Sequence, residues 1–206
     1  MGREKFGYYA LKLTGICIIV FVLQLLFSNF MDLLVLNAKA FPEIWRFVSA
    51  IFLHGSLMHL LYNMFALALF GSILESLIGS RKFLTVFFVS GIFANLIGVN
   101  FYSSSLGASG AIFGVLGALI IIRPLMVVWA FGMPMPMFIA GILWVAGDLI
   151  GVFVPSDVAN IAHLAGIAIG LAFGILFRDW KERRAEQKKI VLNESAMRQW
   201  EDNYLK

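Results

Sequence analysis

The sequence predicts an all-α membrane protein, a single bundle of six membrane-spanning helices. Three observations carry that prediction. First, of 206 residues 61% are hydrophobic and only 14% charged, where soluble domains run near half and about a quarter. With a mean hydropathy of +0.89, a water-soluble core of this size could not hide the apolar surface. Second, the apolar residues fall into six runs, each near the ~20 residues that cross a hydrocarbon core. Third, threading those runs alternately through a bilayer puts nearly all the basic residues on one side.

The first run, about 8–30, follows Arg3, Lys5 and Lys12. Ala38-Lys39-Ala40 resembles a signal cleavage site but lies well beyond its end, and the run is too long for a signal h-region. It is expected to be an uncleaved span. Cys17, within it, is the one cysteine, which rules out an intramolecular disulfide and reads as a small apolar residue. The segment Met31–Ser56 holds Phe41, Trp45, Phe47, Ile51 and Phe52, too apolar for a solvated linker, and fits an amphipathic structure lying in the outer interface.

The remaining runs are about 57–78, 83–102, 107–122, 137–153 and 158–177. The fourth and fifth are shorter, as expected for spans enclosed by protein. Arg123-Pro124 stops the fourth, and Val127–Met137, with two prolines, is expected to be a turn or short extended segment at the interface. The membrane domain therefore covers 1–178, and 179–206 is a charged, basic tail expected to be helical. Half of the basic residues follow Phe177. With a pI near 9.3 they read as a flank beside anionic membrane lipid, not as a nucleic-acid site.

All basic residues but Lys39 and Arg46 share the side of the two termini. Both termini are therefore expected to be cytoplasmic, in the cell membrane.

Polar groups inside a span are costly, so each poses a functional question. Spans two, four and six run in one direction, from outside to inside. Near their outer ends they carry His59 and Asn63, Ser109, and Asn160 and His163. At ~1.5 Å per residue, His59 lies one shallow turn below the surface and Asn63 and His163 about two. His59 and Asn63, at i and i+4, share a helix face, and Asn160 and His163, at i and i+3, do likewise. Asn160 has two readings, support for the imidazole or service to the first turn of its helix.

Ser109 sits in Gly107-Ala108-Ser109-Gly110 at a helix start. There, free N–H groups and the dipole favour a developing oxyanion. Gly114 and Gly117 in span four, with Gly166, Gly170 and Gly174 in span six, let backbones approach closely. Satisfied interhelical hydrogen bonds would explain one such polar group. A Ser, two His and an Asn converging at one depth point to chemistry.

Trp45-Arg46, then His54, His59 and Asn63 within FLHGSLMHLLYNM, GASG around Ser109 and AHLAGIAIG around His163 together resemble the rhomboid proteases. Gly71-x3-Glu75-x3-Gly79 before Arg81-Lys82 resembles the family's motif at the inner end of span two. The resemblance covers Trp45 to Gly174 and implies a rhomboid-like six-helix bundle. Carried over, it implies Ser109 as nucleophile and His163 as general base. His59, Asn63 and the Ser109 N–H become oxyanion donors, and Gly107 shapes their pocket. It implies an outer interface loop for Trp45 and Arg46, a gate aromatic in Trp144 and a structural Glu75. His54 is expected to make a structural hydrogen bond. Phe113 stands where many members have a tyrosine beside the imidazole. No aspartate partner is expected: the family works with a dyad, and spans two, four and six carry no Asp at site depth.

The implied reaction is acyl transfer through an acyl-enzyme, on single-span membrane proteins cut near the outer face, with no metal and no cofactor. Lipid is the other expected partner, nucleic acid is not, and nothing in the sequence specifies an oligomeric state. A metal-dependent hydrolase fits poorly, because there is no HExxH and the second-span pair is HxxxN. A non-proteolytic rhomboid-like binder or chaperone is the alternative; such relatives typically lack the Ser or the His, and both are present here. A transporter would need polar groups through the full depth, whereas these stop in the outer third.

Overall fold

The computed structural model describes residues 6–37, 43–154 and 158–204, with the backbone alone of 179–193. The Ala38-Lys39-Ala40 stretch and Phe41 lie outside the described residues. Eight helices carry the described chain: α1 (Tyr9–Leu26), α2 (Phe30–Leu34), α3 (Arg46–Ser49), α4 (Leu57–Ile78), α5 (Ser80–Gly98), α6 (Ser109–Ile122), α7 (Met137–Gly151) and α8 (Asn160–Tyr204). Four are long and apolar enough to cross a membrane: α1, α4, α5 and the Asn160–Arg178 part of α8. The apolar α6 and α7 are shorter. This is a multi-pass membrane protein.

The two short helices differ in setting. Most of α6 is buried, from Gly110 through Leu119 with Phe113 half-buried, so its length fits a span enclosed by protein. The same expectation fails for α7. Only Met137, Ala140, Gly141 and Asp148 of that helix are buried; Ile142, Leu149 and Ile150 are exposed. It is a peripheral helix, meeting α4 through the edge-to-face pair of Trp144 and Phe70, 6.2 Å between ring centres.

The turn between spans four and five is more regular than its prolines suggest. Strands Val127–Ala130 (β1) and Met133–Pro136 (β2) form an antiparallel hairpin. A type I′ two-residue turn needs positive φ at both central positions; Phe131 and Gly132 adopt 53° and 80°. With only two strands, both prolines sit on an edge and break no central ladder. The Phe131 ring at the tip lies 6.2 Å from Trp144.

Spans two and three meet at a single corner residue, Gly79, with φ of 88°, a region that side chains disfavour. The third helix consequently starts at Ser80, three residues before the expected 83, with Arg81 and Lys82 in its first turn. Within α4 a π-helical turn covers Leu67–Gly71. Beyond it, Glu75 faces the start of α1. Its carboxylate accepts from the Tyr9 N–H (3.1 Å), the Ala10 N–H (3.0 Å) and the Ser80 hydroxyl (2.6 Å), and Ser80 Oγ accepts from the Gly7 N–H (2.9 Å). An anion at a helix N-terminus satisfies orphan donors and the dipole together. Three helix ends are tied by one buried carboxylate.

The described part of the segment between α1 and α4 has one face packed on the bundle and one exposed. Phe47, Ala50, Ile51 and Leu53 are buried against the bundle, while Ile44 and Trp45 are exposed. Arg46 ties the segment together, donating to the Glu43 carboxylate and to the carbonyls of Asp32 (2.6 Å) and Val35 (2.9 Å). Asn95 of α5 donates to the Phe47 carbonyl (2.9 Å) and accepts from Ser105 (3.1 Å). The sixth span continues unbroken into the tail, so α8 runs to Tyr204.

Candidate active site

Helices α4, α6 and α8 begin at the same end of the bundle, and the polar residues near their starts converge there. The closest approach is between α6 and α8. A Cβ at Gly166 would stand 2.1 Å from the Gly110 carbonyl oxygen, and one at Gly170 2.0 Å from that of Gly114. Backbone therefore touches backbone. Gly110 follows Ser109 directly and Gly166 is one turn from His163, so the seam fixes the distance between those two side chains. Ser109 Oγ lies 2.9 Å from His163 Nε2. Phe113, one turn along α6, stacks on the imidazole with ring centres 4.3 Å apart and planes 8° from parallel. The ring face expected at this position is present without a hydroxyl.

α4 supplies the opposite wall. Ser56 caps it, its hydroxyl accepting from the His59 N–H (3.1 Å). The helical spacing turns His59 and Asn63 toward Gly107, whose φ is +117°. A Cβ there would lie 2.7 Å from His59 Cε1, 2.8 Å from its Nε2 and 3.8 Å from Asn63 Nδ2. Glycine is thus required by dihedral and by space. Asn63 is buried, and its Nδ2 has no hydrogen-bond partner among the described residues. A buried donor left unpaired requires an explanation. Gly107 lies beside it and two residues before α6, whose first-turn N–H groups have no intrahelical acceptor.

His54 stands behind His59, the rings edge-to-face at 5.1 Å. Its backbone is clamped by Gln24 of α1, which accepts from the His54 N–H (3.1 Å) and donates to its carbonyl (3.0 Å). Burial, reinforced by His59, lowers its pKa to about 4. The ring is therefore neutral near pH 7, with Nδ1 facing the Phe52 carbonyl at 3.3 Å.

Asn160 does not join the imidazole. Its amide donates to the Val158 carbonyl (3.2 Å), next to Gly151, which is the second of its two readings. Tyr102 finishes that helix start, its hydroxyl accepting from the Ile161 N–H (3.0 Å). Trp45 and Arg46 lie apart from the converging groups, at the start of α3, and Glu75 lies toward the other end of α4.

One residue of the site was missed. Asp148 of α7 is buried, and its Oδ1 lies 3.1 Å from His163 Nδ1. The expectation of an imidazole without an aspartate neighbour is corrected here. That expectation rested on spans two, four and six, whereas Asp148 comes from span five, which runs the other way and ends at the site. An Asp three residues from the end of an otherwise apolar helix was the available signal.

A hydroxyl, an imidazole and a carboxylate in sequence, beside unpaired N–H donors at a helix start, make a constellation able to activate a nucleophile and stabilise an oxyanion. The chain belongs to the rhomboid family, whose rhomboid domain matches residues 42–180. It is 29% identical over 184 residues to the Rhomboid protease GlpG of Yersinia pseudotuberculosis serotype I (strain IP32953) and, equally, of Yersinia pestis (strain Pestoides F), covering 82% of this chain and 62% of each relative. It is 27% identical over 176 residues to the Rhomboid protease GlpG of Haemophilus influenzae, covering 82% of this chain and 91% of that one. The chain spans 62% of the length of the Yersinia relatives it matches.

Proposed function

We propose that the protein is an intramembrane serine endopeptidase. The observation that carries this reading is the 2.9 Å contact between Ser109 Oγ and His163 Nε2, supported by the similarity to rhomboid proteases. Ser109 attacks a peptide carbonyl while its proton passes to Nε2. The new Oγ–C bond forms as the carbonyl electrons move onto oxygen. Asn63, His59 and the Ser109 N–H stabilise that oxyanion. When the C–N bond breaks, the leaving amine takes the proton from Nε2. Water then repeats the cycle on the acyl-enzyme and frees Ser109.

We infer a single-span membrane protein as substrate. The site lies one or two turns into the bundle, and the weak seam between α4 and α7 suits lateral entry past Trp144. An intact helix cannot be cut, since its carbonyls are held in the i to i+4 ladder. The chain must unwind, which costs least near Gly, Pro or β-branched residues. The small residues around Ser109 favour a small residue before the scissile bond. Because all basic residues but Lys39 and Arg46 lie on the other side, the termini are cytoplasmic and the cut falls near the outer face.

The test is cleavage of a single-span reporter by purified protein. Ser109→Ala and His163→Ala are each expected to abolish turnover without unfolding, and a fluorophosphonate to label Ser109. Mass spectrometry of the products is expected to place the cut after Ala, Gly or Ser. Appreciable turnover by purified Ser109→Ala would remove the serine mechanism, and a cut in a cytoplasmic segment would remove the topology.

A further inference from the structure

Asp148 is expensive where it stands. It is the one charged residue of α7 and is only 7% exposed. It also lies at the C-terminal end of its helix, where the dipole disfavours an anion. Its Oδ2 has no partner among the described residues, and Oδ1 has one, His163 Nδ1. A buried carboxylate with so little compensation is destabilising unless something else retains it. What the carboxylate gains from a neutral imidazole is modest; what it gains from an imidazolium is large. The second arises only while His163 holds the serine proton.

We propose that Asp148 is a positioning residue for the Ser109–His163 reaction, making the arrangement a relay of three side chains from α6, α8 and α7. The proposal rests on the serine-protease reading above. His163 Nδ1–H donates to Asp148 Oδ1, which fixes the tautomer and leaves the Nε2 lone pair facing the Ser109 hydroxyl. With Phe113 against the ring face, the imidazole is held at Nδ1, at Nε2 and over its plane. When Nε2 takes the serine proton, Asp148 stays ionised and stabilises the cation; no proton reaches it. The other charged or titratable groups around His163 are few. α4 presents His59, near enough to interact electrostatically. α6 carries none, and α5 only Arg81 and Lys82 at its far end.

A simple tie holding α7 to α8 would show the same contact, so the test must separate the two. The full chain is purified as wild type, Asp148→Asn, Asp148→Glu and Ser109→Ala, and assayed on the reporter with melting measured alongside. Asparagine can donate to Nδ1 and so favours the wrong tautomer. A triad elsewhere loses about 10⁴ in kcat for that exchange, so Asp148→Asn is expected to lower kcat by ~10²–10⁴. KM should stay within about threefold, because the interaction strengthens only as charge develops. Fluorophosphonate labelling of Ser109 should slow in parallel, and Asp148→Glu should recover part of the rate.

A kcat for Asp148→Asn within about threefold of wild type would overturn the proposal, as would equal losses in the Asn and Glu variants that track lowered melting points. If Asp148→Asn cannot be purified, Asp148→Ala labelled in native membranes decides: labelling at the wild-type rate overturns the proposal, and slowed labelling at equal protein level supports it. Cleavage by Ser109→Ala would instead sink the serine-protease reading. Its inactivity beside a fully active Asp148→Asn would leave that reading standing and remove only the third member.

Discussion

Replacing Gly166 with alanine tests the backbone seam with a single methyl group. That methyl would lie 2.1 Å from the Gly110 carbonyl oxygen and 3.0 Å from its carbon. No rotamer can relieve the clash, because both partners are fixed backbone. Restoring van der Waals distance requires α6 and α8 to part by about 1 Å at this level. Ser109 and His163 flank the contact, so their 2.9 Å separation would open to about 4 Å, beyond hydrogen-bond reach. A misplacement of about 1 Å between reacting groups costs on the order of 10² in rate, and overpacking of this kind costs ~1–3 kcal/mol in stability. Gly166→Ala is therefore expected to fold, to melt lower, and to turn over the reporter about a hundredfold more slowly. Gly15→Ala is the control. Nothing lies within 4 Å of a Cβ there, and alanine is the better helix former by about 1 kcal/mol. Wild-type turnover in folded Gly166→Ala would refute the claim that this seam sets the nucleophile–base distance.

Three other outcomes are expected. Removing an oxyanion donor typically costs ~10²–10³ in turnover; Asn63→Ala and His59→Ala should each cost less, because they and the Ser109 N–H substitute in part for one another. A near-wild-type double variant in the same kinetic assay would remove both from the mechanism. Glu75 lies sixteen residues from His59, about 24 Å along the helix, so Glu75→Ala should leave turnover per folded molecule unchanged. Stranding its three donors, two of them in buried hydrogen bonds, should cost about 2 kcal/mol or more, read as a lowered melting point in detergent, and an unchanged melting point would contradict the network. Cysteines at Ser104 and Ser195 should react differently with an impermeant thiol reagent on intact cells, the first labelled and the second not; the reverse pattern inverts the topology.

The sequence made some parts of this molecule legible because a helix has one period and a bilayer one thickness. His59 and Asn63 on a shared face, and Ser109 at a helix start among small residues, follow from spacing and depth alone. Other features had no such handle. The π-helical turn at Leu67–Gly71 leaves no mark in composition, yet it determines which way Glu75 faces. The hairpin at Val127–Pro136 was obscured by Pro134 and Pro136, which would break a central strand but not an edge, and by Phe131, an unusual residue at positive φ. The length of α7 suggested enclosure by protein, whereas the helix is peripheral: length constrains the span, and only packing decides what surrounds it. Asp148 was legible in principle. Counting depth from the C-terminal end of α7, as from the N-terminal ends of its neighbours, brings it level with His163.

The site divides into a rigid half and a half resting on separate elements, and the division follows from the chemistry each must perform. The proposed nucleophile and base must exchange a proton over a short distance, and they sit on α6 and α8, where Gly110, Gly114, Gly166 and Gly170 let backbone meet backbone. The proposed oxyanion donors come from α4 across Gly107, a residue whose dihedral and missing Cβ leave room for His59. Such donors act in parallel, so the loss of one is made up in part by the others. Asp148 comes from α7, the least embedded of these helices. A carboxylate there does not itself transfer a proton; it holds Nδ1 at 3.1 Å. The proposed proton-transfer pair thus sits on the helices held backbone to backbone, and its proposed supporting groups reach it as side chains from α4 and α7.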